Sequence, residues 1–429
     1  MSKTYKYFYE TLVLNNGMRI VAVPMKERKS VSVGIWMHVG GRDEEARLGG
    51  VSHFLEHIVF KGTSKRTANE IKEAVEGVGG SMNAFTGEEY TCFLAKVAGR
   101  HFQSVFAVLS DMVLDASLKE SDIEKERTVI MEEIKMTQDQ PSQLVEELFS
   151  ELLWPRHALG RPIAGTVETV GGLTQRDIQD YKNTFYRPCF ITVVAAGAID
   201  LKTLKKAVSS HFPKRSGAFT KKLELFKTAQ EKPGIKIFPK STEQTHISLG
   251  MRAFCKDHPD EYALDVLNVA LGGNMSSRLF NEVREERGLA YEIGSAVRRY
   301  HETGAFLVGA GVDNHKITEA LKVILKELGR VRRELLKADE LKRAKEFYLG
   351  QLDLGLENSM NQMLWAGESA VSLGRLRSPE EVARGIEKVT AKDLRRVAKE
   401  LFNTKSLNLA VVGPRSDKLE NELSRALSL

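Results

Sequence analysis

Residues 11–25 hold two apolar, β-branched runs on either side of Asn15-Asn16-Gly17, the pattern of a β-hairpin. Val31 to Val39 reads as a further strand and ends at Gly40-Gly41. Between Gly49-Gly50 and Gly62 the chain has no glycine or proline, and Leu55, Ile58 and Val59 fill the gaps between polar residues, so Ser52 to Phe60 is predicted helical. A helix over Ala68 to Val78 is broken by Gly79-Gly80, and strands follow over Ser81 to Thr86 and Glu89 to Val97, about Gly87. His101 to Leu114 predicts another helix, and Ser121 opens the next, with Glu124 completing a capping box. A helical region after Gly160-Arg161-Pro162 leads to a buried strand at 191–197. The second half repeats this order, though hardly its letters: strand 245–251, helices 259–271 and 276–287, strands 291–299 and 304–310, then long helices from 315. A chain of 429 residues exceeds one ordinary core. Two domains are therefore expected, 1–215 and 235–429, joined by a Lys-, Gly- and Thr-rich linker at 216–234.

The helix at 52–60 carries the chemistry. Residues three and four apart share a helix face, so His53, Glu56 and His57 project together while Leu55, Ile58 and Val59 pack. Two imidazoles one turn apart can grip one zinc ion, and a carboxylate beside them can take a proton from a water on it. H-x-x-E-H is the inverzincin order. Surface decoration is the bland reading of a histidine pair, so a third donor decides the matter. The helix after Ser121 offers one. Val129, Ile130 and Ile134 are expected to form its buried stripe, with Glu126 and Glu133 two turns apart on one face. Glu133 is the expected third ligand and Glu126 an outer carboxylate that orients a histidine. A merely solvated acidic helix is the alternative.

Composition narrows the class. Hydrophobic residues at 42% and charged residues at 28% fit a globular protein. A net charge of +6, with no basic run interleaved with aromatics, argues against a nucleic-acid partner. Cys92, Cys189 and Cys255 lie far apart without a C-x-x-C, which fits a reducing compartment, and a cytoplasmic location is expected. The opening residues lack the apolar core of a signal peptide, and no stretch approaches the roughly 20 apolar residues of a spanning helix, so no membrane partner is expected.

Gly49-Gly50-Val51-Ser52-His53-Phe54-Leu55-Glu56-His57, followed at the right interval by Glu126-Arg127-Thr128-Val129-Ile130-Met131-Glu132-Glu133, resembles the pitrilysin family. That family includes insulysin, the mitochondrial processing peptidase and small bacterial processing peptidases, and the similarity runs over nearly the whole chain. The resemblance implies an α+β fold of two homologous domains, each a mixed, mostly antiparallel sheet flanked by helices, of which only the first bears the H-x-x-E-H. It implies zinc on His53, His57 and Glu133, with Glu56 as general base. It places a substrate against an edge strand at Ser81 to Thr86, where Asn83 and Ala84 would pair with it by β-augmentation. It gives Arg284 and Tyr291, seven residues apart, the task of holding the substrate and stabilising the transition state. The implied activity is a zinc metalloendopeptidase acting on peptides or unfolded polypeptide inside a chamber. The implied assembly is a homodimer, or a heterodimer with a homologue. A catalytically silent structural or processing-partner subunit, and a different metal enzyme such as the shorter quorum-signal lyase, are the competing classes.

Overall fold

The computed structural model describes residues 8–214, 221, 223–227 and 229–429. The opening heptapeptide and positions 216–220, 222 and 228 of the expected linker lie outside the described residues. In the first half β1 (Glu10–Val13), β2 (Arg19–Pro24) and β3 (Ser30–Met37) precede α1 (Val51–Ile58), α2 (Ala68–Glu76), β4 (Ser81–Thr86) and β5 (Thr91–Ala98). Then come α3 (Phe102–Asp115), α4 (Glu120–Asp139), α5 (Pro141–Leu153), α6 (Val167–Gly172), α7 (Gln175–Phe185), β6 (Ile191–Gly197) and α8 (Leu201–His211). The second half runs β7 (Gly234–Pro239), β8 (Gln244–Ala253), α9 (Glu261–Gly272), a π-helical turn (Phe280–Glu285), β9 (Ala290–Arg299) and β10 (Gly304–Asp313). It ends with α10 (Ile317–Arg333), α11 (Ala338–Gly355), α12 (Ser359–Leu373), α13 (Pro379–Lys388), α14 (Ala391–Leu401), β11 (Asn408–Gly413) and α15 (Asp417–Ala426).

Each half builds one mixed sheet. The first has the order β1-β2-β6-β3-β5-β4 and the second β7-β11-β8-β10-β9. Only β2–β6 and β7–β11 are parallel; the remaining pairs are antiparallel. Apart from β1, strands and helices correspond one to one between the halves, so the fold is the expected α+β duplication. β3 shows why: Val31, Val33, Ile35 and Met37 face one core, while Trp36 faces another. A strand buried on both sides must have a helix layer on each face.

Those layers do not follow the chain order. One compact unit draws on 1–134, 161–223 and 353–379, the other on 135–160, 224–352 and 380–429. Thus α5, from the first half, packs Leu144, Leu148 and Phe149 against Leu307, Ala410 and Val412 of the second sheet. Conversely α12, from the second half, lays Met363, Ala366 and Ala370 on Val21, Trp36 and Val194 of the first. The contiguous halves expected from the sequence thus differ from the compact units by one exchanged segment in each direction.

Three local expectations are corrected. α4 begins at Glu120, so Ser121 lies in its first turn and no capping box forms. Glu124 instead pairs with Arg127 at 3.0 Å. Val129 is 49% exposed, because the buried arc of α4 is Ile123, Ile130 and Ile134 and a step of about 100° per residue carries Val129 off it. The expected helix 276–287 is the short π-helical turn.

The exchanged helix makes a testable contact. A Cβ on Gly367 of α12 would lie 2.1 Å from the buried Trp36 ring, whereas one on Gly350 of α11 meets nothing within 4 Å. Gly350→Ala should stabilise by about 0.5–1 kcal/mol through helix propensity. Gly367→Ala should destabilise by about 1–3 kcal/mol through overpacking. Urea denaturation of both variants reads the two signs.

Candidate metal centre

α1 has only eight residues, and its apolar face supplies its stability. Val51, Phe54, Leu55 and Ile58 are at most 1% exposed. The opposite side presents His53, Glu56 and His57, as the spacing predicts. α4 brings a second pair of groups to them. Its buried arc directs Glu126 inward, and Glu133, one step off that arc, reaches the histidines with a half-exposed carboxylate.

Three donors converge. His53 Nε2 lies 3.7 Å from Glu133 Oε1, and His57 Nε2 lies 3.6 Å from Glu133 Oε2. The three ligand atoms all fall within 4.8 Å of one another. Donors bonded to one tetrahedral ion at about 2.0–2.2 Å stand roughly 3.3–3.6 Å apart. Two imidazoles and a carboxylate are also the donor set zinc takes when a fourth position stays open. The residues therefore fit the metal.

Outer contacts fix the tautomer of one ligand. His57 Nδ1 faces Glu126 Oε2 at 3.3 Å, so its N–H donates outward and Nε2 keeps its lone pair. Glu126 is 4% exposed and is offset by Lys61 Nζ, 2.6 Å from its other oxygen. His53 has no such support: its Nδ1 is buried without a hydrogen-bond partner among the described residues. Burial, with the neighbouring His57 next, holds the His53 pKa down at about 4, which keeps that ring neutral and able to donate a lone pair. Glu56 sits beside the ligands. Burial raises its pKa, opposed by a hydrogen bond from Thr86 Oγ1 at 2.6 Å. A carboxylate with a raised pKa and one oxygen anchored suits proton transfer.

Asn83 and Ala84 lie on β4, which pairs with β5 alone and is an edge of the first sheet. Asn83 is exposed, and its Oδ1 accepts from the Ala84 N–H at 2.9 Å, so the edge amide is already satisfied by a side chain that can move aside. Arg284 and Tyr291 belong to the other compact unit. They form a pair there: the Arg284 guanidinium lies 5.3 Å from the Tyr291 ring centroid and 4.7 Å from that of Phe280. Tyr291 is 76% exposed. Sequence reading overlooked Lys61 and Thr86. Lys61 lies four residues after His57, the spacing of a shared helix face, and Thr86 alternates with Ala84 along β4.

The chain resembles known proteins along most of its length. A family model described as insulinase (peptidase family M16) matches residues 19–167, and one described as the peptidase M16 inactive domain matches 172–348. The chain is 38% identical over 422 residues to an uncharacterized zinc protease of Streptomyces coelicolor, covering 97% of this chain and 92% of that one. It is 36% identical over 402 residues to the uncharacterized zinc protease YmxG of Bacillus subtilis, covering 93% and 97%. Among solved structures, a protease from Helicobacter pylori superposes with a TM-score of 0.90 at 23% identity, covering 96% of this chain and all (100%) of that one. A chain of complex III2 from Candida albicans reaches 0.84 at 16% identity, covering 98% and 100%. These likenesses show the fold; the identity to the curated zinc proteases over almost the full length places the chain in the M16 family of peptidases.

Proposed function

We propose that the chain is a zinc metalloendopeptidase acting on peptides or unfolded segments. The observation that supports this most is the convergence of His53, His57 and Glu133 with Glu56 anchored beside them by Thr86. His53, His57 and Glu133 would hold a zinc ion, which would supply Lewis acidity at the site. Glu56 takes the proton of the attacking water and returns it to the leaving amine. Thr86 keeps one Glu56 oxygen engaged, so the other faces the reacting atoms. Glu126 and Lys61 hold His57. An extended substrate adds a strand beyond β4, and the Asn83 side chain gives up the Ala84 N–H to it. Only a peptide with free backbone groups can do so, which selects unfolded chain over folded protein. Arg284 and Tyr291 act as donors to the developing oxyanion, and the working form is a dimer in which each zinc site uses the pair from the other chain.

A silent subunit is the second reading, kept because the family model matching residues 172–348 is described as an inactive domain. Metal content and turnover separate the two. The purified chain should carry ~1 zinc per chain, a site with three ligands and an open position. His53→Ala with His57→Ala should lose it; metal analysis showing zinc retained by that double variant overturns the ligand set. Glu56→Gln should keep zinc while turnover of a fluorogenic peptide falls by about 10²–10⁴.

Dimer sharing is read by complementation. Glu56→Gln chains mixed with Tyr291→Phe chains should regain part of the activity, because mixed dimers hold one intact composite site. Mixtures as inactive as their components mean that each chain uses its own Arg284 and Tyr291.

A further inference from the structure

The two histidines of α1 are held differently. His57 is oriented through its outer nitrogen by Glu126, whereas the outer nitrogen of His53 has no hydrogen-bond partner among the described residues. No hydrogen bond at its outer nitrogen sets the direction of the His53 ring, so the placement of its backbone matters more than for His57. That backbone is the first turn of α1, where the opening N–H groups of a helix need acceptors from outside. The usual donor of such an acceptor, the residue at the cap, is Gly50. It has no side chain, its φ is +93°, and a Cβ there would lie 2.6 Å from the Ala164 carbonyl oxygen. No Ser, Asp or Asn can stand at that position.

The cap comes instead from Glu44, six residues before Gly50. Its Oε2 accepts from the Gly50 N–H at 2.7 Å and its Oε1 from the Ser52 N–H at 2.8 Å. Glu44 is 6% exposed, and Arg161 donates to its backbone carbonyl, which ties the loop that presents the carboxylate. Ser52 is fixed from its other side by a 2.9 Å contact between its Oγ and Tyr181 Oη. The carboxylate thus holds the N–H groups of Gly50 and Ser52, three residues and one residue before His53, and none of its hydrogen bonds among the described residues goes to the metal-site side chains.

We infer that Glu44 is a positioning residue of the metal centre, capping α1 from a distance so that His53, the ligand without an outer partner, is placed to donate Nε2. This rests on the zinc reading given above. A buried carboxylate is a costly cap unless both oxygens are used, and here both are.

The test uses the full chain and three variants: Glu44→Gln, Glu44→Ala and Val208→Ala, a buried position on α8 whose truncation lowers stability elsewhere. Zinc affinity is measured by competition with a chromophoric chelator, ligand geometry by the visible bands of the cobalt(II)-substituted protein, and kcat and KM at saturating zinc. Glu44→Gln should bind zinc about 10- to 100-fold more weakly, as loss of ligand-orienting partners does. Its cobalt bands should shift, and kcat should fall at unchanged KM. Val208→Ala should lose thermal stability with none of these changes. A folded Glu44→Gln with the affinity and cobalt bands of the wild type overturns the inference. If the glutamate variants do not fold, hydrogen exchange on the wild-type chain decides: Gly50 and Ser52 amides as fast as exposed ones overturn the cap itself. Wild-type chain that takes up no zinc while those amides stay protected refutes the zinc reading instead.

Discussion

An eight-residue helix does not persist in water by itself, since nucleation costs more than so few hydrogen bonds return. Yet α1 carries both histidines and Glu56. Its existence is therefore a tertiary fact. Phe54, Leu55 and Ile58 hold its apolar side, Glu44 its first turn, and the Ser52–Tyr181 contact its flank. What looks like a motif of five letters is a small element kept in place by groups that the motif does not contain.

The same dependence governs the charges. Glu56, Glu126 and Glu133 meet in one place, and a buried carboxylate left unpaired would cost several kcal/mol. Glu126 is offset by Lys61 and His57, and Glu56 by Thr86. Glu133 stays half exposed, its two oxygens 3.7 Å from His53 Nε2 and 3.6 Å from His57 Nε2. A divalent cation bound there would satisfy His53, His57 and Glu133 at once.

Much of this was legible in the chain because the signals were local. The limits of β4 and β6 were read to the residue, and α1 within about two residues, the margin at which helix ends are defined at all. The period of α4 placed Glu126 and Glu133 on one side but misjudged Val129, because a stripe read from three apolar letters does not show where the arc is centred. The exchange of α5 and α12 was invisible: both are amphipathic, and nothing in an amphipathic pattern says which sheet it will cover. Glu44 was invisible for a related reason. A local cap is written beside its helix, whereas a carboxylate reaching over six residues to a glycine leaves no sequence signature.

Correspondence between the halves shows what duplication kept and what it gave up. α9 follows β8 as α1 follows β3, but Glu261 to Gly272 turns nine of its twelve residues inward and presents no histidine. Turning that many positions inward leaves α9 little polar face, so it serves as packing and not as a histidine-bearing helix. β9 stands where β4 stands, at the same edge of its sheet, and Tyr291 is its second residue. An edge strand needs only backbone to receive a peptide. That requirement falls on the backbone alone, so an edge strand keeps it whatever side chains its half of the duplicated fold carries.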